Sequence, residues 1–199
     1  ETIAAPSLPP VARFNDGKVA PDGSFWVGTM DDRTPRTPIG ALFRIGPDRS
    51  CTQVVDGLMV SNGIAWTADG STMFHTDSAA GRIDSWNYDP ATGTATNRRP
   101  VFEFADPAIG RPDGAAFDAA DVYWSAGVRA GRINKFSRDG KLLSSDPFPC
   151  PGVTMPYPGV YSIVGMNMRK GDVLKMSFTF DWPAAPVPAP APDSSATRP

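Results

Sequence analysis

The chain has 199 residues, of which 41% are hydrophobic and 20% charged. That balance belongs to a globular domain long enough to bury a core, and it excludes a disordered chain. The net charge of −2, from 19 Lys and Arg against 21 Asp and Glu, offers no basic excess for nucleic acid, and no run of about 18 apolar residues marks a membrane span.

The N-terminal residues lack the basic-then-apolar pattern of a secretory signal, and the protein is expected in the cytoplasm. Asp-Gly or Asn-Gly pairs then punctuate the chain at Asp16-Gly17, Asp22-Gly23, Asp56-Gly57, Asn62-Gly63, Asp69-Gly70, Asp113-Gly114 and Asp139-Gly140. Such pairs tolerate positive φ and favour the tight turns that join antiparallel strands. Short runs rich in β-branched and aromatic residues lie between them, at 25–27, 41–45, 72–76, 82–88, 122–124 and 132–136. Few stretches show a 3.6-residue apolar period, so the chain reads as all-β. Cys51 and Cys150 stand far apart without C-x-x-C spacing, which points to two buried or idle thiols rather than a zinc site.

Three segments repeat one plan: "NDGKVAPDGSFWVG", "SNGIAWTADGSTMFHTD" and "PDGAAFDAADVYWSAG". Each opens on a polar residue and Gly, continues through small or apolar residues to a turn, and ends in an aromatic-bearing strand. Gly17, Gly63 and Gly114 anchor them at steps of 63 − 17 = 46 and 114 − 63 = 51 residues. Four short strands repeated at such a period are the mark of a β-propeller. In the middle repeat the strands are expected at 64–66, 72–76, 82–88 and 101–104. The first strand of each blade lines the central channel, so Asp16, Asn62 and Asp113 should turn toward one point at its mouth. Two carboxylates and an amide oxygen there would suit a hard cation such as Ca²⁺, Mg²⁺ or Mn²⁺. A plainer reading makes each a turn residue capping its own backbone, and spacing alone leaves both open.

At these residues the sequence resembles the SMP-30/gluconolactonase family, which includes regucalcin and bacterial sugar lactonases. The matching motifs are "RFNDGKVAPDGSFWVGTM", "GALFRI", "GLMVSNGIAWTADGSTMFHTDS", "YDPATGTATNRR" and "GRPDGAAFDAADVYWSA", in the family's order. The resemblance implies a six-bladed propeller, a divalent metal ion (Ca²⁺, or Zn²⁺, Mn²⁺ or Mg²⁺) and hydrolysis of a sugar lactone. It implies Asn62 and Asp113 as metal ligands, with Asp113 also the general base. It implies Arg13 and Asn15 as groups that hold the substrate's hydroxyls. Asp16 is the weaker candidate, resting on the repeat alignment.

The resemblance covers residues 1–155 and breaks on both sides. The family carries roughly two blades, with an acidic ligand, ahead of "RFNDG", so an N-terminally truncated arc of about three to four blades is expected, with exposed strand edges prone to self-association. Residues 156–182 form a divergent segment that would supply a last blade, and the Pro/Ala-rich stretch 183–199 is expected to be extended and mobile. The acidic contact that some relatives place after "GTM" has no assigned counterpart in Asp31-Asp32-Arg33. Elsewhere the plain readings prevail. His75, the single histidine, and the tryptophans Trp26, Trp66, Trp86, Trp124 and Trp182 are read as structural, with Trp66 the one that an inner strand could offer to a sugar. Arg98-Arg99 reads as a solvated turn. The expected function is metal-dependent hydrolysis of a sugar lactone to its acid. The alternative is a non-catalytic Ca²⁺-binding or interaction module.

Overall fold

The computed structural model describes residues 4–149 and 152–156, and the strand backbones of 161–166 and 173–178. Twelve strands form three four-stranded antiparallel meanders. The first sheet comprises β1 (Ala12–Val19), β2 (Phe25–Asp31), β3 (Gly40–Ile45) and β4 (Cys51–Leu58). The second comprises β5 (Ser61–Trp66), β6 (Thr72–Asp77), β7 (Arg82–Asp89) and β8 (Thr94–Glu103). The third comprises β9 (Arg111–Phe117), β10 (Tyr123–Val128), β11 (Arg132–Phe136) and β12 (Leu142–Pro147). Each sheet runs from first strand to last without a crossover, and the first strands β1, β5 and β9 lie side by side. This is the blade arrangement of a propeller, with the sheets not closed into a ring. A further hairpin of β13 (Tyr161–Met166) and β14 (Val173–Phe178) falls in the divergent segment. The tail 183–199, Cys150 and Trp182 lie outside the described residues.

Apolar faces pack sheet against sheet. Between the first two blades, Trp26, Leu42 and Leu58 meet Ile64, Trp66, Met73 and Tyr88. Trp26, Trp66 and Tyr88 form an edge-to-face triangle with centroids 5.5–6.2 Å apart. Trp66 is therefore core packing, in line with the reading of the other tryptophans, and its ring is committed to the blade interface. Between the second and third blades, Phe74 and Ile83 meet Ala115, Tyr123 and Phe136. Polar links reinforce the packing. Asp22 accepts from Ser24, from the Tyr88 hydroxyl at 2.7 Å and from Arg44 at 2.7 Å, tying the first blade to the second. Burial alone would raise its carboxyl, but these donors outweigh it and hold the pKa at about 2.

Of the seven pairs, Asp56-Gly57 lies inside β4 rather than at the expected turn, and the other six divide into two kinds. Asp22-Gly23, Asp69-Gly70 and Asp139-Gly140 make turns between first and second strands or between third and fourth, as expected. Asp16-Gly17, Asn62-Gly63 and Asp113-Gly114 instead lie inside β1, β5 and β9, at β-bulges. In each first strand two residues stand opposite one: Asn15 and Asp16 against Gly28, Gly63 and Ile64 against His75, Asp113 and Gly114 against Ala126. Gly63 takes φ +58°, and a Cβ there would come within 2.5 Å of the Tyr123 hydroxyl. At Gly63 the tolerance of positive φ is thus used to bend a strand rather than to reverse one.

Two further expectations are corrected. Arg98-Arg99 is no solvated turn, and the fourth strand of the middle blade does not begin at 101: both arginines lie within β8. Arg98 pairs with buried Asp84 at 2.6 Å and lies 5.4 Å over the Trp86 ring, so its stem is packed although its head is charged. Cys51 is not buried; it sits exposed at the start of β4.

The inter-blade cores set a testable stability. Phe74 is fully buried, with rings of Phe117 and Tyr123 each 5.0 Å away. Phe74→Ala is expected to destabilise the protein by about 3–5 kcal/mol in urea unfolding.

Candidate functional site

The bulges bring the polar ends of three first strands together. Arg13 and Asn15 come from β1, and Asn62 sits in β5 immediately before its bulge. The Asn15 carboxamide is oriented by groups of fixed polarity. Arg13 Nη1, which can only donate, reaches Asn15 Oδ1 at 3.2 Å, and Asn15 Nδ2 donates to the Ser61 carbonyl at 2.9 Å. The same Nδ2 donates to Asn62 Oδ1 at 3.0 Å, and Asn62 Nδ2 then donates to Ser78 Oγ at 2.7 Å. A single direction of donation therefore runs from Arg13 through Asn15 and Asn62 to Ser78.

Asp16 and Asp113 stand beside this line. Asp16 Oδ2 accepts from the Ile64 N–H across the blade boundary at 3.3 Å. Burial raises its carboxyl, against the opposing pull of that N–H and of the Lys18 ammonium. Burial likewise pushes Asp113 up to about 7, and the charge of Asp16 adds to the rise. Among the described residues the donor to the Asp113 carboxyl is its own strand's Gly114 N–H, at 3.0 Å. Lys18, two residues beyond Asp16, donates to the Ala115 carbonyl of β9 at 2.8 Å and is lowered by burial.

The three residues expected at one repeat position occupy neighbouring places. Asn62 precedes its bulge, Asp113 opens its own and Asp16 closes its own. Asn15 donates directly to Asn62 across the first two blades, Asp16 accepts from the Ile64 N–H across the same boundary, and Asp113 is joined to Asp16 by electrostatics. No group of three or more His, Cys, Asp or Glu suited to a metal is present among the described residues. A cation here would need the amide oxygens beside the two carboxylates. That donor set is all oxygen, suits a hard divalent ion, and holds two carboxylates whose burial a cation would offset.

Several contacts escape sequence reasoning. Asp32 receives Arg13 Nε at 2.7 Å from nineteen residues away. Asp31 is withdrawn from the site: Arg33 grips both its oxygens and Thr37 caps it, holding its carboxyl below the usual range. His75 is fully buried, with Nε2 2.8 Å from Ser61 Oγ, and burial lowers its pKa to about 3, so it is neutral and structural. The "HTDS" motif was the available signal, since it sets four consecutive polar residues at the end of an otherwise apolar strand.

The chain matches the SMP-30/Gluconolactonase/LRE-like region over residues 1–160. It is 38% identical to a 6-deoxy-6-sulfogluconolactonase from Pseudomonas putida over 144 residues, covering 72% of this chain and 49% of that protein. It is 34% identical to the regucalcin of Danio rerio over 154 residues, covering 76% of this chain and 52% of that one. Among solved structures it resembles a luciferin-regenerating enzyme, with TM-score 0.69 and 32% identity over 77% of this chain and 50% of that one. It also resembles a calcium-binding regucalcin from Agrobacterium tumefaciens, with TM-score 0.68 and 26% identity over 74% of this chain and 49% of that one. The chain spans about half the length of these relatives. The matched region, the ordered motifs and the blade topology place the chain in the SMP-30/gluconolactonase family.

Proposed function

We propose that the protein hydrolyses a sugar lactone to the corresponding acid with a divalent cation held by Asn62 Oδ1 and the Asp113 carboxylate. The observation that carries this reading is the hydrogen-bonded line from Arg13 through Asn15 to Asn62, running beside two half-buried carboxylates. Relatives named for gluconolactone hydrolysis favour an aldonolactone as the substrate class. Asp16 is the further oxygen donor within reach of the same place.

The cation, when bound, supplies Lewis-acid polarisation of the ester carbonyl. The chain's own residues supply the rest. Asp113 takes the proton of the attacking water, since a carboxylate in partly dehydrated surroundings is a stronger base than one in bulk solvent. The proton then passes to the ring oxygen as the acyl C–O bond breaks, leaving carboxylic acid and hydroxyl on one open chain. Arg13 offers donors to the substrate's hydroxyls, and its contact with Asp32 keeps the guanidinium at the mouth. Asn15 contributes both a donor and an acceptor to the same hydroxyls.

A second reading is a calcium-binding module without catalysis, favoured by the resemblance to regucalcins. The two part on one experiment. Hydrolysis of aldonolactones is assayed with Ca²⁺, Mn²⁺, Zn²⁺ or Mg²⁺ added after chelation. Metal-dependent turnover that falls about 10²–10⁴-fold in Asp113→Ala supports the enzyme. No turnover from folded protein, with Ca²⁺ binding that Asp113→Ala weakens, supports the module. Arg13→Ala is expected to raise KM more than it lowers kcat, as befits a group that holds substrate.

Asp113 also carries a pH signature. Its folded pKa is raised from 3.8 to about 7, so its contribution favours the fold fully below pH 4 and is lost as pH climbs through 7. In chelator, Asp113→Asn is expected to melt about 4–8 °C above the parent at pH 8 and no higher at pH 4, by thermal denaturation. An equal gain at both values would show that ionisation of Asp113 is not the cause.

A further inference from the structure

Asn62 can present either end of its carboxamide to the channel, and only the oxygen is of use to a cation. The groups around it decide which. On one side Asn15 Nδ2 faces it, and that atom is fixed as a donor by the Ser61 carbonyl, which can only accept. On the other side Asn62 Nδ2 donates to Ser78 Oγ at 2.7 Å. Asn62 is 6% exposed and Ser78 8%, so neither contact is replaced by solvent at little cost.

The two contacts differ in permanence. Asn15 is exposed and is itself placed to serve a ligand, so its amide can be drawn away from Asn62 when a hydroxyl arrives. Ser78 is anchored in the body of the second blade. Its backbone N–H donates to the Val60 carbonyl at 2.9 Å. Its neighbour Asp77 accepts from the N–H groups of Met59, Val60, Ala79 and Ala80, between 2.9 and 3.2 Å. His75 holds Ser61 from the same strand end. The segment 59–62 is thus fastened along its length to "HTDS", with Ser78 Oγ as the fastening that reaches the Asn62 side chain.

We propose that Ser78 is a positioning residue: Asn15 fixes which end of the Asn62 carboxamide faces it, and the Ser78 hydroxyl, by accepting Nδ2–H at the other end, pins the carboxamide so that Oδ1 stays on the Asn15 side as the oxygen offered to a cation. Its use in metal binding rests on the proposed function; the orientation of Asn62 does not. Loss of the hydroxyl leaves a buried N–H without a partner and frees the amide to rotate about χ2. Supporting contacts of this kind are worth 10–100-fold in metal affinity elsewhere.

The experiment joins two readouts. Mn²⁺ affinity is measured by calorimetry for the parent, Ser78→Ala, Ser78→Thr, Asn62→Asp and the Asn62→Asp/Ser78→Ala double variant. Ser78→Ala is expected to weaken Mn²⁺ about tenfold, and Ser78→Thr, which keeps the hydroxyl, to restore it. A carboxylate has no nitrogen end to misplace, so in the Asn62→Asp background Ser78→Ala is expected to change affinity less than about twofold. Equal losses in both backgrounds overturn the proposal. The second readout is the exchange rate of the Asn62 side-chain amide protons by NMR, measured without metal. Slow exchange in the parent and in Ser78→Thr, and fast exchange in Ser78→Ala, support the orientation; unchanged exchange overturns it. Should the parent bind no Mn²⁺, the proposed function fails and the exchange measurement alone decides the role of Ser78. Far-UV circular dichroism and melting temperature identify any variant that has lost the fold, and Ser78→Gly, which also lacks the hydroxyl, then carries the comparison in place of Ser78→Ala.

Discussion

In each of the three four-stranded sheets a bulge interrupts the first strand, and the polar end of the channel depends on it. A regular strand alternates its side chains strictly between two faces, and both faces of β5 and most of β9 are taken up by packing between blades. A residue such as Asp113 in a regular strand would have to displace an apolar neighbour from an inter-blade core. The extra residue breaks the alternation for one step, bends the strand and lets a polar group turn to the axis while the apolar residues beyond it stay in register. Ala65 after one bulge, and Ala115 after another, return directly to buried packing.

That local device explains why the site is built from amides and carboxylates of first strands and their immediate neighbours. Hydrogen bonds cross from blade to blade at the same level: Asn15 to Asn62, Asp16 to the Ile64 N–H, the Tyr123 hydroxyl to the Gly63 carbonyl. Each ties a bulge to the next blade, so the same contacts fix the site and set the blades against one another. Tyr123 is fully buried in the second inter-blade core, and its hydroxyl reaches the back of the second bulge. Core packing and site geometry are therefore coupled through one side chain.

Carboxylates play opposite parts according to their surroundings. Asp22 and Asp69 sit in turns where Ser hydroxyls and arginines satisfy them, and both are held well below the ordinary range. Asp16 and Asp113 sit at bulges with few donors, and burial raises both. The first kind stabilises the fold as an ion. The second kind costs stability as an ion, which is the usual mark of groups kept for chemistry or binding rather than for folding.

Much of this was legible in the residues themselves. Aromatic and β-branched runs bounded by Asp-Gly pairs located most of the strands, and the anchor glycines exposed the repeat, because strand propensity and turn chemistry are local properties. The ordered motifs named Arg13, Asn15, Asn62 and Asp113, and these residues line one end of the first strands. Other features were hidden for physical reasons. An Asp-Gly pair advertises tolerance of positive φ, yet whether that freedom reverses a chain or bends a strand depends on what pairs with it, and Gly28, His75 and Ala126 are all distant in sequence. The fourth strand of the middle blade was masked by Arg98, whose charge reads as solvent-facing until Asp84 and Trp86 are seen beneath it. The partners Asp32 and Ser78 were equally invisible, since only the register of each first strand against its second brings them to Arg13 and Asn62. Sequence alone determined most of the strands, the repeat and the candidate residues; the tertiary structure decided which atom of each residue meets which partner, because only the paired and packed sheets bring those partners within hydrogen-bonding distance.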